Sequence, residues 1–241
     1  MKPLVFLHGW AQSQQVWHKQ RDSFPNALYL NLPGHGGADD VPVDHWIDEL
    51  AQQLPEKPCV LAGWSLGGIL ALALTSRFPE RIAALALIST TPCFRRRLDW
   101  QPGCDERQFA EFEAAVASKS PRLLNRFFAL MLHGDALSRS DYNALAKQAV
   151  DRQQPVSAAG LSGGLELLGA LDYRHAMADI AVPTLILHGE ADAIVSAESG
   201  RWLAESIQHS QMQLFPACGH AIFMTQSEKF NQYLSNWWSS L

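Results

Sequence analysis

The run Gly63-Trp64-Ser65-Leu66-Gly67-Gly68 sets a serine between glycines two positions to either side. A serine hydroxyl attacks a carbonyl only when it is held clear of the backbone beside a base that takes its proton. A sharp strand-to-helix turn does that holding, with the serine in a strained conformation and small flanking residues letting strand and helix approach. The flanks suit such a turn: Cys59-Val60-Leu61-Ala62 is strand-like, and the apolar stretch from Ile69 to Phe78 is helix-like. The first N–H groups of that helix, Leu66 foremost, point to where an oxyanion would form.

Such a nucleophile needs a base and a group that orients the base. Two later segments each read as a strand followed by a loop. The apolar run 182–188 leads into Gly189-Glu190-Ala191-Asp192, and the run 212–215 leads into Pro216-Ala217-Cys218-Gly219-His220. Asp192 and His220 are therefore expected at the same sheet edge as Ser65, in the order nucleophile, acid, base. The first strand ends in His8-Gly9-Trp10, a loop suited to a second oxyanion donor, so the backbone N–H groups of Trp10 and Leu66 are the expected pair. Losing one such donor costs about 3 kcal/mol of transition-state stabilisation. Taken singly, Ser65 could be an ordinary tight turn, Asp192 a cap and His220 a satisfied loop histidine; their joint order carries the reading. Of the other histidines, His8 is expected to brace its own loop, His35 to sit in a turn and His188 to be buried at a strand end. Asp172 and Asp179 are rival acids, but both precede the strand that leads to Asp192.

The elements that must position these groups alternate along the chain. Strands are expected near 3–7, 27–31, 58–63, 83–89, 182–188 and 211–215, and helices near 14–23, 43–54, 66–78, 197–208 and 225–239. Continuously apolar strands separated by helices imply a doubly wound, mostly parallel α/β sheet. Residues 92–171 break the alternation, with apolar residues at helical spacing (Leu123, Leu124, Phe127, Phe128, Met131) and no convincing strand. This stretch is expected to be a helical lid inserted into one discontinuous core domain formed by 1–91 and 172–241.

Bulk properties narrow the function further. A chain of 241 residues can bury one substantial core. The net charge of −5 argues against nucleic acid as a partner. Residues 93–152 nevertheless carry ten Lys/Arg against eight Asp/Glu, while the rest carries nine against sixteen. No apolar run approaches the ~18 residues of a membrane span, and no signal-peptide layout precedes the first strand. A cytoplasmic location, no membrane association and a monomeric state are expected. Cys59, Cys93, Cys104 and Cys218 lack metal-ligand spacing and read as free thiols, and the chemistry calls for no metal or organic cofactor.

His8-Gly9-Trp10, Leu32-Pro33-Gly34-His35-Gly36, the serine turn, His188-Gly189-Glu190-Ala191-Asp192 and Gly219-His220 together resemble the α/β-hydrolase superfamily over nearly the whole chain. Finer features are similar to the pimeloyl-[acyl-carrier protein] methyl ester esterases of biotin synthesis: Trp64 before the serine, the runs 89–94 and 126–130, and Ser162-Gly163-Gly164-Leu165-Glu166-Leu167-Leu168. The resemblance implies a serine carboxylesterase that releases methanol from the methyl ester of a pimeloyl chain on acyl carrier protein, through an acyl-enzyme. It implies Ser65, Asp192 and His220 as triad, Trp10 and Leu66 at the substrate carbonyl, and Phe127, Phe128, Ala129, Leu130 and Met131 along the acyl channel. It also implies carrier-protein docking at Arg122, Arg126 and Arg139, although Asn143 stands where a further arginine is expected one helical turn after Arg139. Lys119, Arg122 and Arg126 share one helical face, which suits an acidic carrier protein. These folds usually open with a hairpin; this chain starts directly on the strand before His8, so a sheet of about six strands without an antiparallel edge is expected.

The motifs leave other chemistries open. A pyruvate-eliminating synthase of menaquinone synthesis, a C–C bond hydrolase or a general short-chain esterase would use the same turn, and a catalytically silent binding module would share the fold. Haloalkane dehalogenation is disfavoured, since it needs aspartate where Ser65 stands.

Overall fold

The computed structural model describes residues 1–118, 123–149 and 153–241; for residues 123, 124 and 146–149 it describes the backbone alone. Six strands make one sheet: β1 (Leu4–Leu7), β2 (Leu28–Leu30), β3 (Cys59–Trp64), β4 (Ile82–Ile88), β5 (Thr184–Gly189) and β6 (Ser210–Phe215). They run in the order β2-β1-β3-β4-β5-β6 with every neighbouring pair parallel. The sheet thus has the expected six strands and no antiparallel edge. Every residue of β1, β3 and β5 is buried, which is why these segments read as unbroken apolar runs rather than alternating ones.

The helices are α1 (Trp46–Gln53), α2 (Leu66–Arg77), α3 (Glu106–Ala117), α4 (Leu123–Met131), α5 (Arg139–Ala149), α6 (Ala158–Ala170), α7 (Ala197–Ser206), α8 (Ile222–Thr225) and α9 (Ser227–Ser239). α2 packs along β1, β3 and β4, and α7 along β5 and β6. Two expected helices differ. Residues 14–23 form only a 3-10 turn at Gln14–Trp17 followed by further turns, and Gln20 sends its side-chain amide inward to Phe223 O (2.9 Å) and Asn231 Oδ1 (3.0 Å). The stretch 225–239 is split by Gln226, whose φ of −123° separates α8 from α9.

Three features of this topology set the site. First, the chain leaves β1 for β2 on one side and returns to β3 on the other, so the loops after β1 and β3 part around a crevice at their C-terminal ends. Leu7 pairs with Gly63, which brings those two ends side by side. Second, helices α3 to α6 all fall between β4 and β5, which are neighbours in the sheet. The segment is stitched where it leaves and returns, by a bridge between Cys93 and Asp172 and by Tyr173 N–H donating to Pro92 O at 2.8 Å. Third, an aromatic cluster lies directly beneath the serine turn. Trp17 meets Trp64 edge-on at 6.4 Å, and Phe223 lies 4.2 Å from Trp17 and 4.9 Å from Trp64, centroid to centroid. All four cysteines are unpaired and buried. Among the described residues no helix is long and apolar enough to cross a membrane, and no group of three or more His, Cys, Asp or Glu could hold a metal ion.

Candidate active site

Ser65 sits between β3 and α2 with φ +55° and ψ −118°, a conformation that side-chain-bearing residues rarely adopt. The surrounding contacts over-determine it. Ser65 N–H donates to Ile88 O (3.0 Å), and Ser65 O accepts from Gly68 N–H (2.9 Å), Ile69 N–H (3.2 Å) and the Thr90 hydroxyl (2.7 Å). Gly67 passes so near the end of β1 that a β-carbon there would lie 2.5 Å from both Leu7 O and His8 O. Leu66 heads α2, so its N–H is one of the first-turn amides that the helix itself leaves unused.

The loop after β1 abuts the serine. A β-carbon on Gly9 would sit 3.2 Å from Ser65 Cβ and 3.0 Å from the Trp64 ring, so a side chain here would press on the serine turn. Its bracing histidine holds two sides of the crevice: His8 Nδ1–H donates to Gly9 O (2.8 Å), and His8 Nε2 accepts from Leu32 N–H (3.0 Å). The Trp10 indole in turn reaches the helices between β4 and β5. Its Nε1–H donates to Leu161 O of α6 at 2.9 Å, and its ring meets Phe127 of α4 edge-on at 4.9 Å and Phe112 of α3 at 6.1 Å.

Asp192 and His220 are brought together. His220 Nδ1–H donates to Asp192 Oδ2 at 2.7 Å, with both side chains fully buried. Asp192 Oδ1 accepts from Ile194 N–H (2.9 Å) and Val195 N–H (3.0 Å). Burial alone would push this carboxyl up, but His220 and His188 outweigh it and hold Asp192 well below the usual carboxylate range. His220 Nε2 is buried and makes no hydrogen bond with the described residues, so no bond from the Ser65 hydroxyl to His220 is formed here. The rival acid Asp172 is engaged elsewhere, accepting from Arg174 Nε at 2.9 Å and Nη2 at 2.7 Å.

Three contributors escaped sequence reasoning. Trp64 Nε1–H donates to His220 O (3.0 Å) and its ring lies 5.2 Å from the imidazole, so the residue before the serine also holds the His220 loop. His188 is buried as expected, but its Nε2–H, donated to Val195 O at 3.0 Å, also lies 3.4 Å from Asp192 Oδ2. Asp135, in the turn after α4, accepts from Gly219 N–H at 3.0 Å. A signal for Trp64 was present in its position; none marked Asp135.

Of the residues expected along the channel, Phe127, Phe128 and Met131 form the buried face of α4, Ala129 is exposed and Leu130 half-buried, as a 3.6-residue period requires. Phe128 packs edge-on against Tyr142 of α5 at 5.8 Å. The Leu123 and Leu124 side chains, Lys119 and Arg122 lie outside the described residues. Arg126 is exposed and pairs with Glu111 at 3.2 Å; Arg139 and Asn143 are exposed on α5.

The crevice histidines make stability depend on pH. Burial, reinforced by His35, lowers His8 to about 3, and burial lowers His35 to about 4 against the opposing pull of Pro33 O and Asp40. Below about pH 6.5 the unfolded chain therefore takes up protons that the folded chain refuses, and stability falls until the pH reaches the folded values. By pH 5 the two together cost about 4 kcal/mol. Asp192 works in the opposite sense, adding stability above about pH 4 and losing it below, outside this window. Thermal melts should show Tm lower by roughly 10 °C at pH 5 than at pH 7, with about half the drop abolished in His35→Gln. A Tm unchanged between the two pH values would contradict burial of these rings as neutral groups.

A family model described as alpha/beta hydrolase fold matches residues 2–227. A pimeloyl-[acyl-carrier protein] methyl ester esterase of Nitrosomonas europaea is 35% identical, over 94% of this chain and 92% of its own length. The protein of the same name from Aromatoleum aromaticum is 37% identical over 93% of each chain. Among solved structures, an esterase from Exiguobacterium antarcticum superposes with a TM-score of 0.87 at 23% identity, covering 98% of this chain and 91% of its own.

Proposed function

We propose, from the premise that this chain belongs to the pimeloyl-[acyl-carrier protein] methyl ester esterases of the alpha/beta hydrolase fold and is a carboxylic-ester hydrolase, that it frees the ω-carboxylate of a pimeloyl chain carried on acyl carrier protein, in biotin biosynthesis. His220 Nε2 takes the Ser65 proton as Ser65 Oγ attacks the ester carbonyl. Asp192 holds the imidazole by Nδ1–H and compensates its positive charge. The Trp10 and Leu66 N–H groups take the oxyanion. Collapse of the tetrahedral intermediate expels methanol, protonated by His220, and leaves Ser65 acylated. A water that gives its proton to His220 then releases the acid and restores the serine.

The observation that carries this reading is the buried 2.7 Å bond from His220 to Asp192, formed at the sheet edge where Ser65 is held at positive φ. Helices α3 to α6 act as the lid. The uncharged ester on an aliphatic chain suits the apolar face that Phe127, Phe128 and Met131 present beside Trp10. The carrier protein is acidic, so Arg126 and Arg139 would steer it, with Arg122 adding to them. Arg126 must then exchange Glu111 for a carboxylate of the partner, an exchange of one exposed pair for another that costs little.

The test is incubation of the purified protein with the methyl ester of pimeloyl-acyl carrier protein, following methanol. Methanol release at catalytic rates, and growth of a biotin auxotroph lacking this esterase when the chain is supplied, are expected. Turnover only of a cyclohexadiene carboxylate or a dienone acid would replace this reading with one of the lyase or C–C hydrolase chemistries.

A further inference from the structure

The turn that leaves α4 touches both loops on which the acid and base stand. Met131 O, at the last residue of α4, accepts from His220 N–H at 2.9 Å, and Asp135 Oδ2 accepts from Gly219 N–H at 3.0 Å. The two backbones are in van der Waals contact here: a β-carbon on Gly219 would lie 2.4 Å from His133 O and 2.8 Å from Asp135 Oδ2. Gly134, at φ +93°, lets the same turn press on Ala191, the neighbour of Asp192, where a β-carbon would come within 2.6 Å of Ala191 Cβ.

A backbone carbonyl would satisfy Gly219 N–H as well as a carboxylate does. Asp135 is moreover a costly choice: burial, then the charge of Asp192, pushes its carboxyl up, opposed by the Thr225 hydroxyl and Gly219 N–H. The imidazole one residue beyond Gly219 becomes a cation when it takes the serine proton. We propose that Asp135 is a positioning residue for His220: its bond to Gly219 fixes the base loop against α4, and its charge favours the imidazolium formed in the transition state. The inference rests on His220 being the base of the hydrolysis proposed above.

Among the described residues, few other titratable or charged groups face this turn. Asp192 lies across it, and the Cys218 thiol, pushed up to about 11 by burial and then by Asp135, stays neutral at physiological pH. Lys229 of α9 acts on Cys218 by its charge, and His133 is exposed in the turn itself.

The experiment compares wild type, Asp135→Asn and Asp135→Ala, measuring kcat and KM for a short-chain p-nitrophenyl ester from pH 5 to 9 and the rate of Ser65 labelling by a fluorophosphonate. Asp135→Ala should lose about tenfold in kcat with KM within twofold. Asp135→Asn keeps an oxygen for Gly219 N–H, so it should return to within about threefold of wild type on the plateau. With the charge gone, its acid limb should move to lower pH by about half a unit, because a cationic imidazole is less favoured. Should Asp135→Ala fail to fold, the displaced acid limb of Asp135→Asn decides alone. Folded variants with wild-type kcat and an unmoved limb overturn the proposal, as does an Asn variant as poor as Ala with its limb in place. A wild type that never labels at Ser65 brings down the hydrolytic reading and this inference together; a labelled wild type with indifferent Asp135 variants brings down this inference alone.

Discussion

Ser65→Ala should abolish ester hydrolysis, with kcat lower by about 10⁵ to 10⁶, while leaving the protein folded. The loss is that large because the covalent route disappears; oxyanion binding and substrate positioning alone account for the remaining acceleration over water. Fluorophosphonate labelling should vanish in the same variant. Stability should change little, since alanine keeps the β-carbon that strains the turn at φ +55°. Ser65→Gly separates the two roles of this position. It is equally inactive, but it relieves a conformation that costs a side-chain-bearing residue about 1–3 kcal/mol, and should melt several degrees above both wild type and Ser65→Ala. A Ser65→Ala enzyme retaining more than about one part in a hundred of kcat would show that another group attacks the ester. A glycine variant no more stable than the alanine one would show that the turn is not strained.

The position of this serine was legible because its demands are local. A glycine two residues to either side, an apolar strand before and an apolar helix after are all sequence neighbours, and the strand ends preceding Asp192 and His220 are read the same way. That the strands run parallel followed from the alternation of elements, because a parallel strand must be reached by a crossover. What escaped the sequence depends on chain segments that are far apart. Trp64 binds a carbonyl 156 positions away, and Asp135 an amide 84 positions away. Neither residue type nor spacing encodes such a meeting; only the folded path of the chain does. The same limit explains residues 14–23. Their apolar spacing was compatible with a helix, but tertiary bonds from Gln20 to Phe223 and Asn231 compete with it. On α4, the five consecutive residues implied by resemblance divide into an inward and an outward set as soon as helical geometry is imposed.

Asp192→Asn should lower kcat by about 10⁴ with KM nearly unchanged, and the reason lies in which oxygen is committed to what. In the native site Oδ1 accepts from the N–H groups of Ile194 and Val195, while Oδ2 accepts from His220. Asparagine offers one oxygen for both tasks. The two backbone donors are fixed by the loop, and leaving them unsatisfied costs about 1–3 kcal/mol each, so the amide oxygen turns to them. The NH₂ group then faces His220 Nδ1, which can meet it only as an acceptor. That choice places the imidazole proton on Nε2, where the base must be free to take the proton of Ser65. The same NH₂ confronts His188 Nε2, already donating to Val195 O at 3.0 Å, so no competing arrangement rescues the native tautomer. Because the loop bonds survive, Asp192→Asn should melt within a few degrees of wild type. Asp192→Ala strands both amides and should lose about 3 kcal/mol or more of stability as well as activity. Paired melts and kcat values on the two variants therefore separate orientation of the base from support of the loop. An asparagine variant within tenfold of wild-type kcat would mean that the carboxylate at 192 does not set the tautomer of His220, and the acid of the triad would have to be sought elsewhere.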